Sequence, residues 1–167
     1  MTTTQRGLRV FRRSDGVDLD DTTVMSQPVM DPPPGREVLK AVGAASGYVI
    51  KVLFGDPDSG GMSLIHAWYA ADYALPRHSH DVDCLYYVLS GEARLGNQVV
   101  PAGDGFFVPA NAPYAYSAGP DGVAVLEFRA TSNFAIHVTE SLGRWEQIAE
   151  LARTHREDWA AQTAGAS

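Results

Sequence analysis

His78-Ser79-His80 is the stretch of this 167-residue chain with the clearest capacity for chemistry. Side chains alternate in direction along an extended strand, so His78 and His80 project to one side and can address a single metal ion. Two further groups could complete such a site. His66 lies in the strand-like run Met62–Tyr69, on one face with Leu64 and Trp68, and could donate a third imidazole. Glu127 sits inside the apolar run Val123–Phe128, where a buried carboxylate needs a partner; it could ligate a metal, act as a base, or pair with Arg129 or Arg94. Aromatic residues gather in the same segments, and alternation sends about half of them inward. Trp68, Tyr86, Phe107, Tyr114 and Tyr116 are the expected lining of a pocket suited to a small organic ligand with a ring or an aliphatic body.

These side chains need a scaffold of strands, and the sequence supplies one. From Val38 to about Arg129, short apolar segments alternate with Gly, Pro, Asn and Asp, the pattern of an all-β barrel or sandwich. Strands are expected at Tyr48–Phe54, Met62–Tyr69, Cys84–Leu89, Glu92–Leu95, Gly105–Val108, Tyr114–Ser117 and Val123–Phe128. Gly55-Asp56-Pro57-Asp58-Ser59-Gly60-Gly61 reads as a loop, and Ser90-Gly91 and Gly96-Asn97 as hairpin turns. Upstream, the polar segment ending in Asp31-Pro32-Pro33-Pro34-Gly35 reads as an extended arm, because successive prolines lack backbone donors. Downstream the period changes. Leu142, Trp145, Ile148, Ala149, Ala152 and Trp159 fall on or near one helical face behind Ser141, a candidate N-cap, and the last residues from Gln162 should fray. The division is therefore residues 1–35 as N-terminal arm, 36–137 as barrel and 138–167 as C-terminal helix and tail.

Composition narrows the function classes. Hydrophobic residues make up 45% and charged residues 20%, ordinary for a folded domain. A net charge of -7 repels phosphate backbones and anionic membrane surfaces, so neither nucleic acid nor membrane is an expected partner. The basic cluster Arg6, Arg9, Arg12 and Arg13 is followed at once by Asp15, Asp18, Asp20 and Asp21 and reads as a solvated arm. Cys84 is the sole cysteine, so no intramolecular disulfide can form. No apolar signal core opens the chain, and no apolar run approaches the roughly 20 residues of a membrane helix; cytoplasmic residence is the expectation.

Leu75-Pro76-Arg77-His78-Ser79-His80, leading into Asp83-Cys84-Leu85-Tyr86-Tyr87-Val88-Leu89-Ser90-Gly91-Glu92, resembles the first motif of the cupin family. Gly103-Asp104-Gly105-Phe106-Phe107-Val108-Pro109-Ala110-Asn111-Ala112-Pro113-Tyr114 resembles the second, and together with the neighbouring strands the resemblance spans about Gly61 to Arg129. It implies an antiparallel β-barrel of jelly-roll type holding a divalent transition metal (Fe, Zn, Cu, Ni or Mn) through two histidines, a glutamate and a third histidine. His78 and His80 match the first two positions. Cys84 stands where the family usually has glutamate, Tyr114 where it has the third histidine, and Asn111 where it has glycine.

Two functions follow from this pattern. In one, His78 and His80 hold the metal of an oxygenase or lyase acting on a small aromatic or carbonyl-containing acid or ketone. Cys84, His66 or Glu127 completes the sphere, and Tyr114 and Tyr86 orient substrate. In the other, the metal is absent, and the barrel is a small-molecule binding protein or a metal-free isomerase or cyclase. Cys84 is then a small buried apolar residue and Tyr114 a pocket-lining aromatic. The resemblance also implies a homodimer, with which the apolar residues Val24, Met25, Val29 and Met30 of the arm are compatible.

Overall fold

The computed structural model describes residues 7–55 and 61–166. Most of the expected Gly55–Gly61 loop therefore lies outside the described residues. Among the described residues, ten strands and three α-helices follow the order β1 (Val17–Asp18), β2 (Val29–Met30), α1 (Arg36–Gly43), β3 (Tyr48–Phe54), β4 (Ser63–Tyr69), β5 (His78–His80), β6 (Cys84–Leu95), β7 (Gln98–Pro101), β8 (Gly105–Val108), β9 (Ser117–Arg129), β10 (Ile136–Val138), α2 (Leu142–Thr154) and α3 (Arg156–Ala166).

The strands form two sheets. The larger runs β1-β3-β4-β9-β6-β7, with β8 also paired to β6, and every pairing in it is antiparallel. The smaller runs β2-β10-β5, parallel between β2 and β10 and antiparallel between β10 and β5. Hydrogen bonding does not pass round a closed ring among the described residues. Isolated bridges, His78 to Tyr114 and Ala74 to Ser117, tie the short β5 region to the second-motif segment instead. The architecture is a jelly roll of two facing sheets.

Several elements differ from the sequence pattern, each for a local reason. Ser90-Gly91 does not turn the chain. It sits in the middle of the continuous strand β6, whose pairing with β9 shifts register between Val88 and Ser90 and again between Gly91 and Ala93. Gly91 has φ 67°, and a Cβ there would lie 2.0 Å from the Gly122 carbonyl oxygen, so the glycine serves close backbone approach at a bulge. Tyr114–Ser117 is not a continuous strand; Tyr114 makes only the bridge to His78, and β9 begins at Ser117. The arm is less extended than three prolines suggest. It contains two 3-10 turns, at Arg13–Asp15 and Leu19–Asp21, contributes β1 and β2, and is followed by helix α1.

The C-terminal segment is two helices. Ser141 caps the first, its Oγ accepting from the Arg144 amide at 3.2 Å. Helix α3 runs on to Ala166, and Gln162 Oε1 accepts from the Ala71 amide, which ties down residues expected to fray. Val38, Ala74, Val138, Trp145, Ile148 and Ala149 form one apolar cluster, so α1 and α2 close one end of the space between the sheets. No helix among the described residues is long and apolar enough to cross a membrane.

Candidate functional site

Register places the site. On the inner face of the large sheet, Ile65, Glu127, Tyr86 and Phe106 lie in one row across β4, β9, β6 and β8, and Ser63 and Arg129 begin the next. Facing them, β5 presents His78 and His80. Ile65, Tyr86, Glu127, Arg129, His78 and His80, together with Tyr114, Tyr116, Phe134 and Trp145, line a cavity of about 320 Å³, the size of site that takes a small organic molecule.

Both imidazoles are held the same way. His78 Nδ1 lies 2.8 Å from the Pro76 carbonyl and His80 Nδ1 lies 2.9 Å from the Ala135 carbonyl. A carbonyl can only accept, so each Nδ1 carries the proton and each Nε2 keeps its lone pair. Burial lowers the pKa of His78, and it lowers that of His80, with help from the Arg129 charge, to about 3. Both rings are neutral at neutral pH. Their centroids are 5.2 Å apart, and His78 lies 4.4 Å from the Tyr114 ring.

Opposite them sits a fully buried cation. Arg129 is 1% exposed; its Nη2 donates to Glu127 Oε2 at 2.9 Å and lies 3.4 Å from the Tyr86 hydroxyl. The guanidinium stacks over Phe134 at 4.1 Å. Burial works against its charge, but Glu127 and the surrounding groups outweigh that and raise its pKa. The Tyr86 and Tyr114 hydroxyls hydrogen-bond to each other. Burial pushes both phenols above their ordinary pKa, so both are neutral.

The sequence-predicted residues divide between the two faces of the sheet. Tyr86, Tyr114, Tyr116 and Glu127 line the cavity with His78 and His80. His66 and Trp68 do not: they lie on the outer face of the large sheet beside Leu53, Leu89 and Leu126, and Ile65 and Tyr69 take the inward positions of β4. Apolar residues occupy both faces of β4, so alternation alone gave no sign of which was inner. Phe107 is likewise outward, 58% exposed, and its neighbour Phe106 stacks on Tyr86. Of the two candidate partners for Glu127, Arg129 takes it, and Arg94 pairs with Glu92. Sequence reasoning missed Arg129 as a cavity group in its own right; the available signal was its spacing of two from Glu127, which puts both on one face of β9.

The donors do not fit the implied metal. No three or more His, Cys, Asp or Glu side chains among the described residues converge on a point. Cys84 packs in the core with Tyr86, Val88 and Val108, its Sγ 3.9 Å from the Leu85 carbonyl. Burial pushes its thiol up to about 12, so it is a thiol and not a ready thiolate. Glu127 is engaged by Arg129, and the guanidinium adds a positive charge where a metal would need negative donors.

Two sheets facing across a cavity, with residues of both motifs among those that line it, give the jelly-roll architecture that the sequence resemblance implies. No protein-family model matches the chain, and no curated protein matches it significantly. Similar solved structures include an RmlC-like cupin protein from Ralstonia eutropha, 18% identical with a TM-score of 0.46 over 51% of this chain and 57% of that one. Oxalate decarboxylase from Bacillus subtilis is 18% identical with a TM-score of 0.46, over 53% of this chain and 26% of its own. KdgF from Halomonas sp. is 20% identical with a TM-score of 0.44, over 50% of this chain and 79% of its own.

Proposed function

We propose that this protein is a metal-free cupin whose cavity takes a small organic molecule, either as a binding protein or as an isomerase or cyclase. The observation that carries this reading is the donor set itself. Two neutral imidazoles have their Nδ1 protons committed to backbone carbonyls, and the carboxylate nearest them in the sheet, Glu127, is committed to a buried guanidinium. Such a site offers hydrogen-bond acceptors at His78 and His80, hydroxyls at Tyr86, Tyr114 and Tyr116, and apolar walls. Tyr114 orients the bound molecule, and Glu127 holds Arg129 in place. With its pKa near 3, His80 serves as an acceptor rather than as a proton carrier at neutral pH.

The second reading is the metal-dependent oxygenase or lyase. One feature favours it: carbonyl anchoring of Nδ1 is also how metal-binding histidines are oriented. Metal analysis of protein purified without a histidine tag separates the two. The metal-free reading expects substoichiometric metal together with saturable binding of small aromatic ligands. About one equivalent of iron, copper, zinc, nickel or manganese, lost in His78→Ala/His80→Ala, would sink it in favour of the second.

The protein is further proposed to act in the cytoplasm on a small molecule, without nucleic-acid or membrane partners, and as a homodimer. Support for the dimer comes from the outer face of the large sheet. Leu85, Tyr87, Leu89, Phe107 and Phe128 are exposed there, and Leu85 is in register with both Phe107 and Phe128, a contiguous apolar surface that self-association would cover.

A further inference from the structure

Tyr86 and Tyr114 share one hydrogen bond between two hydroxyls, each of which could give or take the proton. Arg129 breaks the symmetry. Its Nη2 lies 3.4 Å from the Tyr86 oxygen, and a guanidinium can only donate. The Tyr86 oxygen therefore accepts from Arg129, which polarises the Tyr86 O–H and makes it the better donor of the pair. That proton goes to the Tyr114 oxygen. Tyr114 is then left with an O–H that has no protein acceptor among the described residues, on a side chain that lines the cavity beside His78.

Further buried donors on residues that line the cavity lack an acceptor. Arg129 Nε and Nη1 and Trp145 Nε1 are buried without a partner, and guanidinium and indole N–H groups can do nothing but donate. Both side chains are more than nine-tenths buried. A molecule filling this cavity must bring acceptor oxygens to meet these donors, and aromatic or apolar surface to meet Phe134 and Ile65.

We infer that Arg129, Tyr86 and Tyr114 form a one-way hydrogen-bond chain that presents the Tyr114 O–H to an anionic oxygen of the bound molecule, so that the cavity selects hydroxylated aromatic or enolisable carbonyl compounds in their phenolate or enolate form. Tyr114 meets the anionic oxygen; Tyr86 and Arg129, which line the same cavity, act on that oxygen as positioning residues through Tyr114. The inference rests on the metal-free reading of the cavity. A neutral phenol, strengthened by the cation two groups behind it, stabilises a developing oxyanion without needing to ionise.

The probe is 4-nitrophenol, whose phenolate is read directly by its visible absorbance, with nitrobenzene as a neutral control for cavity integrity. At a pH where free 4-nitrophenol is partly ionised, the wild-type protein is expected to raise the phenolate fraction on binding. Tyr114→Phe should weaken phenolate binding by roughly 10- to 100-fold. Tyr86→Phe, which keeps the ring and removes only the hydroxyl bonded to Tyr114 and Arg129, should weaken it several-fold, and both should leave nitrobenzene binding within about twofold. Wild-type protein that shows no preference for the phenolate overturns the inference, as does a Tyr114→Phe variant that binds it normally. If Tyr86→Phe folds and binds the phenolate as the wild type does, the chain is not directional and the inference also fails; if that variant does not fold, Tyr114→Phe alone decides. An EDTA arm separates this failure from failure of the metal-free reading. Phenolate binding abolished by chelation removes the metal-free cavity, whereas binding that survives chelation but ignores both tyrosine variants removes only the chain.

Discussion

The inner and outer faces of the large sheet carry similar residues and do different things. Along β6, Cys84, Tyr86 and Val88 point inward and are at most 2% exposed, while Leu85, Tyr87 and Leu89 point outward. Side-chain chemistry does not separate the two sets, since each holds a tyrosine between apolar neighbours. Cross-strand neighbours do. Tyr86 is in register with Glu127 and Phe106, whereas Tyr87 is in register with Leu126 and Gly105. A one-residue change of register would exchange the two roles entirely. The inner tyrosine is part of a polar network because a charged pair lies beside it, and the outer one belongs to a surface available to a second copy.

The strongest way to break this comparison is to remove the inner cation. Arg129→Ala leaves Glu127 buried and unpaired and should cost about 3–5 kcal/mol in urea unfolding. Arg94→Ala, which breaks an exposed pair with Glu92, should cost less than about 1 kcal/mol. Equal effects would mean that the two faces are not energetically distinct. The double variant Glu127→Leu/Arg129→Met sharpens the point: stability should return to within about 2 kcal/mol of the wild type, because no charge is left without its partner.

Next in size is the apolar contrast. Ile65→Ala on the inner face opens a cavity under the site and should cost about 2–5 kcal/mol. Leu85→Ser on the outer face should change monomer stability by under about 1 kcal/mol, and should instead weaken self-association in sedimentation equilibrium. A monomeric wild type would remove the role assigned to the outer face.

Acid should reveal the inner face as well. An unfolded chain takes up a proton at His80 near pH 6.5, and the folded one holds out to about 3. Above pH 6.5 both states are neutral and this group has no effect; as pH falls between those limits, the unfolded state binds more protons and stability is lost by up to about 1.4 kcal/mol per unit. His80→Asn should flatten that part of the stability curve, and an unchanged slope would count against the neutral, buried imidazole. Smallest of all is the expected response of Cys84: at about pH 8 a thiol reagent should leave it unmodified in the folded protein and label it only on unfolding.

Much of the scaffold is legible in the sequence. Tyr48–Phe54 and Gly105–Val108 are strands with the expected ends, and Ser141 caps its helix as its type suggests. Local chemistry governs these: β-branched and aromatic runs between turn residues, and a hydroxyl ahead of an apolar helical period. The misreadings are non-local. Ser90-Gly91 has hairpin residues, but β9 pairs across it on both sides, and the strand continues. His66 could have entered the cavity as far as its strand pattern goes, since β4 is apolar on both faces, and only the pairing of Ile65 with Glu127 shows which face meets the cavity.

For the site, the sequence by itself determined that two histidines share one side of a strand, that a glutamate lies in an apolar run, and that two positions of the cupin pattern hold Cys84 and Tyr114 in place of glutamate and histidine. Those are statements about residue type and spacing along one segment. Tertiary structure decided the rest. It brought the Ala135 carbonyl to His80 from 55 residues away and the Tyr86 hydroxyl to Tyr114 from 28 away, and it buried an arginine that by type belongs on a surface. Each of these fixes a proton or a charge, and a proton's direction depends on which acceptor stands nearest in space.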